Sequence, residues 1–421
     1  MLIVFFMGVA SGLPYALVGQ TLKAWAKDAN VPIATIGLLS ILAIPYSLKI
    51  VVGPFLDHYI PPFLGRRRGW LALMQVGVIA SLFGLSLTNP EGNFTLFAGT
   101  ALLVAIFSAT QDIVIDAYRR EFLPEEQLGF GNSVAIAGYI LAFRMISGAL
   151  ALYLSSEMSW SQVYAIMGAI SIVGLATTLL APEPKVQYNK TRSLVEAIKN
   201  PLVEFFARPG ALWIIAFIFF YKVGDSMASQ LATPFYLDLH YSKTEIAAIS
   251  KLYGFIAVIA GGLIGGAMMA KIGLRRSLWT FGFLQAISTA GFAWLAQLAP
   301  TIDPAALAAD PSLKVAPALN ALIAVISFEN LTAGMGTAAY SAFMASLTNK
   351  NFTATQYALL TSIMGLTNSI VGAPTGYMVE AMSWTWFFVF CTFAAVPGLL
   401  LLLKVGKWAE FKKSPETPQT P

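Results

Sequence analysis

The chain has 421 residues, of which 57% are hydrophobic and only 11% charged, and its mean hydropathy is +0.70. Soluble domains carry roughly 25% charged residues, so this composition excludes a soluble globular protein and indicates a polytopic membrane protein. The net charge of +5 does not indicate a nucleic-acid partner, because the basic residues sort into predicted loops. One cysteine excludes an internal disulfide, and the two histidines show no spacing typical of a metal site.

Twelve apolar stretches are candidates for membrane spans, each of which needs about 20 residues. We therefore predict an all-α membrane protein with twelve transmembrane helices. In chain order they cover residues 2–26, 33–56, 69–88, 94–118, 128–154, 160–181, 211–237, 244–270, 277–298, 317–345, 355–380 and 384–404.

The predicted spans form two groups of six, separated by a polar segment. Residues 1–181 are predicted to form an N-terminal six-helix bundle, and residues 211–406 a C-terminal one. Between them, residues 182–210 form a cytoplasmic linker, in which the capping-box pattern Ser193-Leu-Val-Glu196 opens a short amphipathic helix. Residues 407–421 form a cytoplasmic tail.

Lysine and arginine predict the orientation in the membrane. With both termini in the cytoplasm, the inside loops and tail hold 18 basic residues. The outside segments then hold only Lys23, Lys27, Lys243 and Lys314. Because cytoplasmic loops carry an excess of Lys and Arg, we predict that both termini are cytoplasmic.

The two halves also repeat, which predicts the architecture. At a constant shift of 209, Thr35, Gly53, Arg66 and Arg67 recur as Thr244, Gly262, Arg275 and Arg276. Two parallel six-helix repeats are the architecture of major facilitator transporters. The segment Gly53-Pro-Phe-Leu-Asp57 with Gly65-Arg-Arg-Arg68 resembles that superfamily's motif between its second and third helices. The recurrence before Arg275 lacks the acid.

Charged residues within the predicted spans are the candidates for function, because each unpaired charge costs about 2.5–3.5 kcal/mol at the membrane centre. Four are acidic and four basic, which predicts a cavity with mutually compensating charges. They are Asp112, Asp116, Asp225, Glu329, Lys49, Arg144, Lys222 and Lys251.

Ser108, Asp112 and Asp116 lie four residues apart and share one face of the fourth helix. Asp116 lies close to Arg119 and Arg120, so we predict a salt bridge that holds the cytoplasmic gate, either to these arginines or to the loop arginines Arg66–Arg68. Asp112 lies one turn deeper, and loss of water favours the neutral acid. We predict that Asp112 couples protons to transport; Glu329 is the competing acid, and a fixed ion pair is the alternative role. The predicted gating residues are Asp57, Arg66, Arg67, Asp116, Arg119 and Arg275.

Arg144 is the basic residue predicted to bind substrate, since a guanidinium binds a carboxylate through two hydrogen bonds. Its alternative role is to pair with Asp112. Lys222 and Asp225 are spaced to pair with each other across one turn, and direct contact with substrate is the alternative. The other residues predicted to bind substrate are Tyr15, Gln20, Gln111, Asn330 and Asn368.

Motifs for enzymes and for ATP use are absent from the sequence. There is no nucleophile elbow, no zinc-binding helix motif and no phosphate-binding loop ending in Lys-Ser/Thr. We therefore expect no enzymatic activity and no cofactor, with free energy supplied by an ion gradient, here of protons.

Seven blocks along the chain resemble the AmpG muropeptide permeases. They are Ala10-Ser-Gly-Leu-Pro14, Pro61-Pro-Phe-Leu-Gly-Arg-Arg-Arg-Gly-Trp70, Ser108-Ala-Thr-Gln-Asp-Ile-Val-Ile-Asp-Ala117, Ala181-Pro-Glu-Pro184, Tyr221-Lys-Val-Gly-Asp225, Phe328-Glu-Asn-Leu331 with Gly334-Met-Gly-Thr337, and Ala354-Thr-Gln-Tyr-Ala-Leu-Leu360. The resemblance spans both halves in order. It implies a proton-dependent symporter of the bacterial inner membrane that imports GlcNAc–anhydroMurNAc peptides.

The same resemblance implies a part in peptidoglycan recycling and an indirect part in β-lactamase induction. Some relatives carry further helices after the twelfth, whereas this chain has a short polar tail. The partners we expect are a muropeptide, protons and the lipid bilayer, with the protein a monomer. The alternatives are a related carrier of peptides, sugars or acyl-CoA-like anions, an exporter, or a transport-dead receptor.

Overall fold

The computed structural model describes residues 1–48, 52–53, 55–56, 59–124, 128–184, 202–299, 316–347 and 353–406. Within these ranges, nine helices have the length and apolarity to cross a membrane unaided, and three further helices complete the predicted twelve. They are α1 (Leu2–Asp28), α2 (Ile33–Ser47), α3 (Arg66–Ser86), α4 (Phe94–Phe122), α5 (Val134–Glu157), α6 (Trp160–Leu180), α7 (Ala211–Asp238), α8 (Lys243–Ile272), α9 (Leu274–Gln297), α10 (Leu319–Ser346), α11 (Thr353–Gly372) and α12 (Thr375–Val405).

Helix α12 contains a kink at Ser383, whose φ is 67° and ψ 166°. The two spans predicted for residues 355–380 and 384–404 meet at this kink. Before the kink, residues 375–382 follow α11 and pack on the start of α2 through Gly376, next to Ile33 and Gly37. After the kink, Phe388 packs on Phe235 of α7. The predicted break between residues 380 and 384 therefore coincides with this kink.

Helices pack mostly within their own half. In the first half α1 contacts α4, α5 and α6, and α3 contacts α4 and α6; in the second, α10 contacts α8 and α9, while α12 contacts α7 and α9. Between the halves, α2 packs on α11 and on the first part of α12, α5 packs on α8, and the ends of α1 and α7 meet. The cavities described below lie along this interface.

Glycine allows α1 to lie directly against α5. A Cβ on Gly12 would lie 2.2 Å from the carbonyl oxygen of Tyr139, and one on Gly8 would lie 2.1 Å from that of Ala135. On α5, a Cβ on Gly138 would likewise lie 2.2 Å from the carbonyl oxygen of Phe5. Small residues of this kind let membrane helices pack backbone to backbone, and here they let α1 pack directly on α5.

The Gly12→Ala variant should therefore be strongly destabilised, because the added methyl group must push α1 and α5 apart. We expect a loss of about 1–3 kcal/mol in the free energy of unfolding, typical of an overpacked core. The matched control is Gly99→Ala in α4, where a Cβ meets nothing within 4 Å. The melting temperature of the detergent-purified variants measures the difference, and equal values would contradict the packing.

Candidate functional site

The two aspartates of α4 line one cavity, which we call the aspartate cavity. Its volume is about 390 Å3, and Ser11, Tyr15, Tyr46, Tyr139 and Arg119 also line it. Asp112 is only 8% exposed and accepts a hydrogen bond of 2.6 Å from Ser11 Oγ. Asp116 is exposed and pairs with Arg119 Nη2 at 2.9 Å. One cavity thus leads from an exposed acid to a buried one.

Hydroxyl groups surround Asp112. Ser11 donates to it, and the rings of Tyr15, Tyr46 and Tyr139 face the same cavity. A hydroxyl both donates and accepts hydrogen bonds, so it can serve the ionised and the protonated carboxyl alike. Asp112 can therefore change its charge without losing its hydrogen bond to Ser11.

An aromatic cluster separates the aspartate cavity from the deeper spaces. Tyr15 packs edge-on against Tyr46 at 4.7 Å between ring centroids, and Phe143 stacks on Tyr139 at 5.9 Å. Phe143 also lies 5.8 Å from Tyr15. These rings provide flat faces of the kind on which a sugar ring packs.

The central cavity lies between the halves and has a volume of about 860 Å3. Gln20 and Arg144 line it from the first half, and Asp225, Glu329 and Asn330 from the second. Glu329 has Asp225, Arg144 and Lys222 as electrostatic neighbours. Five residues predicted for function thus line one cavity. Ile136 lines both this cavity and the aspartate cavity, so the two cavities adjoin.

The alternative pairing of Arg144 with Asp112 does not describe this conformation. Arg144 lines the central cavity and interacts with Glu329, whereas Asp112 lines the aspartate cavity and binds Ser11. The predicted pair of Lys222 with Asp225 is present: Lys222 Nζ lies 3.2 Å from Asp225 Oδ2 and 3.0 Å from Gln285 Oε1.

Two residues predicted to bind substrate have contacts within their own half. Gln111 is 1% exposed, and its Nε2 donates to the Ala10 carbonyl at 2.8 Å, which ties α4 to α1. Lys222 is 7% exposed and is held by Asp225 and Gln285. Neither lines the cavities described here. Their substrate role stays a prediction that this conformation does not support.

A smaller outer cavity of about 170 Å3 adjoins the central one and is lined by Gln20, Lys23, Ser40, Gln230 and Asn368. Lys23, which the charge count places in an outside segment, is instead a buried residue of α1. Its Nζ donates to Ser40 Oγ at 2.8 Å and to the Gln230 carbonyl at 3.1 Å. The chain of contacts from α1 through α2 to α7 closes the interface here. Asn368 accepts a hydrogen bond from Ser226.

Beyond Lys23, two ion pairs cross between the halves at the ends of α1 and α7. Lys27 pairs with Asp238, and Asp28 pairs with Lys243 at the start of α8. Each aspartate also accepts a hydrogen bond from an indole: Trp160 Nε1 donates to Asp28 at 2.7 Å, and Trp384 Nε1 donates to Asp238 at 3.0 Å. We call these four charged residues the outer latch.

At the opposite end of the helices, the arginines of the loop motif bind an acid that the sequence analysis did not select. Arg66 and Arg67 each lie 2.6 Å from Glu121 Oε1 at the end of α4. Glu183, in the Ala181-Pro-Glu-Pro184 block, accepts from the backbone N–H groups of Arg67 and Arg68 at 2.8 and 3.0 Å. A carboxylate at a helix N-terminus binds its free N–H groups.

The remaining predicted gating residues have different outcomes. The predicted contact of Asp116 with Arg119 is present, whereas the alternative contact of Asp116 with the loop arginines competes with their pairing to Glu121. Asp57 lies outside the described residues. Arg275 is exposed and approaches Gly406 at the end of α12.

In the part of the chain that the structure describes, no cluster of His, Cys, Asp and Glu has the arrangement of a metal site.

Comparison with known proteins identifies the fold. Residues 4–310 match the family model described as Major Facilitator Superfamily. The chain belongs to this superfamily. Solved structures share this fold. One is a bacterial homologue of the human lysosomal transporter Spinster in an inward-facing, occupied conformation; its TM-score is 0.72 at 14% identity over 98% of both chains. A D-xylose–proton symporter has a TM-score of 0.70 at 15% identity, also over 98% of both. These structures confirm the predicted fold class.

Full-length relatives confirm the resemblance drawn from the motifs. The anhydromuropeptide permease of Escherichia coli strain K12 is 37% identical over 413 residues, 98% of this chain and 80% of that one. Putative transporter AmpG 4 of Rickettsia conorii is 33% identical over 410 residues, 95% of each chain. An uncharacterized protein of Haemophilus influenzae is 41% identical over 411 residues, 96% of this chain and 94% of that one. The prediction of a multi-pass membrane transporter is confirmed, and these relatives give no support to an enzyme.

Proposed function

We propose that this major facilitator protein imports anhydromuropeptides, GlcNAc–anhydroMurNAc with an attached peptide, together with protons. The observation that carries the proposal is the 37% identity to an anhydromuropeptide permease along 98% of the chain. The central cavity supports it, since its volume of about 860 Å3 lies within the range of roughly 300–1,000 Å3 typical of small-molecule sites. A muropeptide carries carboxylates, amides and sugar hydroxyls, and this cavity offers partners for each.

In this proposal Asp112 couples proton movement to transport, with Glu329 as the competing acid. Asp112 is buried at the inner end of the aspartate cavity, whereas Asp116 lies exposed at the other end. Protons therefore have a route along one lined space to the acid. Glu329 faces the cargo side with Arg144 as its neighbour, so cargo that binds Arg144 alters the charge around Glu329.

The proposed substrate contacts are Arg144 and Asn330 with Gln20 in the central cavity, and Tyr15 and Asn368 in the adjoining spaces. Asp225 and Glu329 are neighbouring carboxylates in the wall of the central cavity. Asp225 is therefore proposed to bind an ammonium group of the peptide. Arg66, Arg67, Arg119 and Arg275, with Asp57 and Asp116, are proposed to move as the cytoplasmic ends of the helices open and close.

The proposed setting is the bacterial inner membrane, with the protein a monomer and both termini cytoplasmic. The bias of loop lysines and arginines supports this orientation. The outer latch then faces the periplasm, and the aspartate cavity opens toward the cytoplasm. Import in this direction returns wall fragments to the cell, which places the protein in peptidoglycan recycling and, indirectly, in β-lactamase induction.

Uptake of radiolabelled anhydromuropeptide into energised membrane vesicles tests the proposal. Vesicles with the protein should accumulate label, and an uncoupler should abolish the accumulation, whereas vesicles without the protein take up none. Unlabelled peptides, sugars and acyl-CoA compounds serve as competitors and identify a different cargo. Binding of label without any flux would contradict import and indicate a receptor.

A further inference from the structure

Two π-helical segments face each other where α5 of the first half packs on α8 of the second. They are Leu141–Leu150 in α5 and Ile246–Tyr253 in α8. A π-helix is rare and is frequently found at functional sites. Because π-helical segments lie on both sides of one contact between the halves, the side chains of these two segments are candidates for function.

Each π-helical segment carries one cation that lines the central cavity, Arg144 in α5 and Lys251 in α8. Both are positively charged, and they lie close enough to repel each other. Lys251 is only 4% exposed, and its stem passes Gly148 of α5, with Cδ 3.6 Å from the position of a Cβ there. The side chain of Lys251 therefore reaches across the interface toward the first half.

The partners of Lys251 distinguish it from the paired lysines of the interface. Lys27, Lys222 and Lys243 each pair with a carboxylate. Lys251 Nζ instead donates to the side-chain carbonyl of Gln20 in α1 and to Thr233 Oγ1 at 3.2 Å in α7. Within the described residues, a buried cation at the cavity wall is thus held by a neutral amide and a hydroxyl.

We propose that Lys251 and Arg144 form a two-cation site that binds a carboxylate of the cargo between the two halves. The carboxylate takes the place of the Gln20 carbonyl on Lys251, and the guanidinium of Arg144 binds its other oxygen. This inference rests on the proposed function and adds to it a residue and a chemical group. Because one cation comes from each half, a bound carboxylate connects α5 with α8.

The test compares the binding of two ligands to the full-length, detergent-purified protein by titration calorimetry. One is GlcNAc–anhydroMurNAc-tripeptide with free carboxylates, and the other is the same molecule with its carboxylates converted to carboxamides. The wild type should bind the carboxylate form at least about tenfold more tightly, as expected for charge-assisted hydrogen bonds. Lys251→Met should reduce this preference to about threefold or less, and Lys251→Arg should retain most of it.

Lys23→Met is the matched control, because Lys23 is also buried, lies at the interface and binds neutral partners, but lines only the outer cavity. It should keep the tenfold preference. Gln20→Glu is a second variant that does not remove Lys251. A carboxylate at position 20 should occupy Lys251 and lower the preference as Lys251→Met does.

The outcomes separate the site from the function. Wild type that binds both ligands equally would overturn the two-cation site and leave muropeptide transport standing. Unchanged preference in Lys251→Met or in Gln20→Glu would also overturn it. Wild type that binds neither ligand would instead refute the proposed function itself. Loss of preference in Lys23→Met as well would show a general effect of buried charge and overturn the assignment to Lys251.

Discussion

Asp112→Asn is expected to abolish uphill accumulation of cargo while exchange of cargo across the membrane continues. Asparagine keeps the shape of the side chain and a hydrogen-bond acceptor for Ser11, but it cannot bind or release a proton. Each charge moved through 100 mV supplies about 2.3 kcal/mol, which corresponds to about 50-fold accumulation at 1.4 kcal/mol per tenfold. We therefore expect the accumulation ratio to fall from this scale to one.

Proteoliposomes with an imposed proton gradient measure accumulation, and preloaded proteoliposomes without a gradient measure exchange. Asp116→Asn is the matched control, since this acid lines the same cavity but lies exposed at its mouth. It should retain accumulation, at a changed rate at most. Proton-driven accumulation by Asp112→Asn would refute the role of Asp112.

Glu329→Gln distinguishes the competing acid in the same assay. If Asp112 carries the proton, Glu329→Gln should weaken cargo affinity but leave the accumulation ratio high, because its main neighbours are the cavity cations and Asp225. Loss of accumulation in Glu329→Gln with retained exchange would transfer the coupling role to Glu329.

In the proposed orientation, neutralisation of the outer latch by Asp28→Asn together with Asp238→Asn should open the periplasmic side. Both ion pairs cross between the halves, and asparagine still accepts from Trp160 and Trp384, so the change isolates charge. Partly exposed ion pairs contribute about 0.2–1 kcal/mol each. Loss of both should therefore raise the outward-open population by up to about 30-fold, since 1.4 kcal/mol corresponds to tenfold.

Labelling of a cysteine at Ser229 from the periplasmic side measures this population, because Ser229 lines both the central and the outer cavity. The background variant removes Cys391, the single cysteine of the chain, which is buried. A membrane-impermeant maleimide should label the double variant several times faster than the background. The control Glu91→Gln neutralises an exposed acid of the α3–α4 loop and should label at the background rate. Equal rates in all three would contradict the latch.

The aromatic clusters beside the latch explain why its aspartates have fixed positions. Trp160 belongs to a group with Trp25 and Tyr164, in which Trp25 and Tyr164 lie 4.8 Å apart. Trp384 packs on Phe235 at 5.0 Å. Each indole is therefore held by neighbouring rings of its own half while it donates to an aspartate of that half. The lysine from the other half binds an acid that is already oriented.

Several features of this transporter follow from the sequence alone, because they depend on local composition and helical period. Apolar length predicted the twelve helices, and even the break near Ser383 was located. Spacing of four residues placed Asp112 and Asp116 on one face, and both do line one cavity. Spacing of three residues likewise predicted the Lys222–Asp225 pair, which is present at 3.2 Å.

Contacts between distant parts of the chain followed only from the tertiary structure. Glu121 binds Arg66 from 55 positions away, and Lys251 reaches Gln20 from 231 positions away. Lys23 was assigned to an outside segment because that assignment depends only on the residues next to it in sequence. It contains no information about the α2 and α7 side chains that bury Lys23 in the folded protein. Sequence determined which residues enter the membrane and on which helical face. The packing of α1 on α5 through glycine, and of one half on the other, decided which of those faces meet.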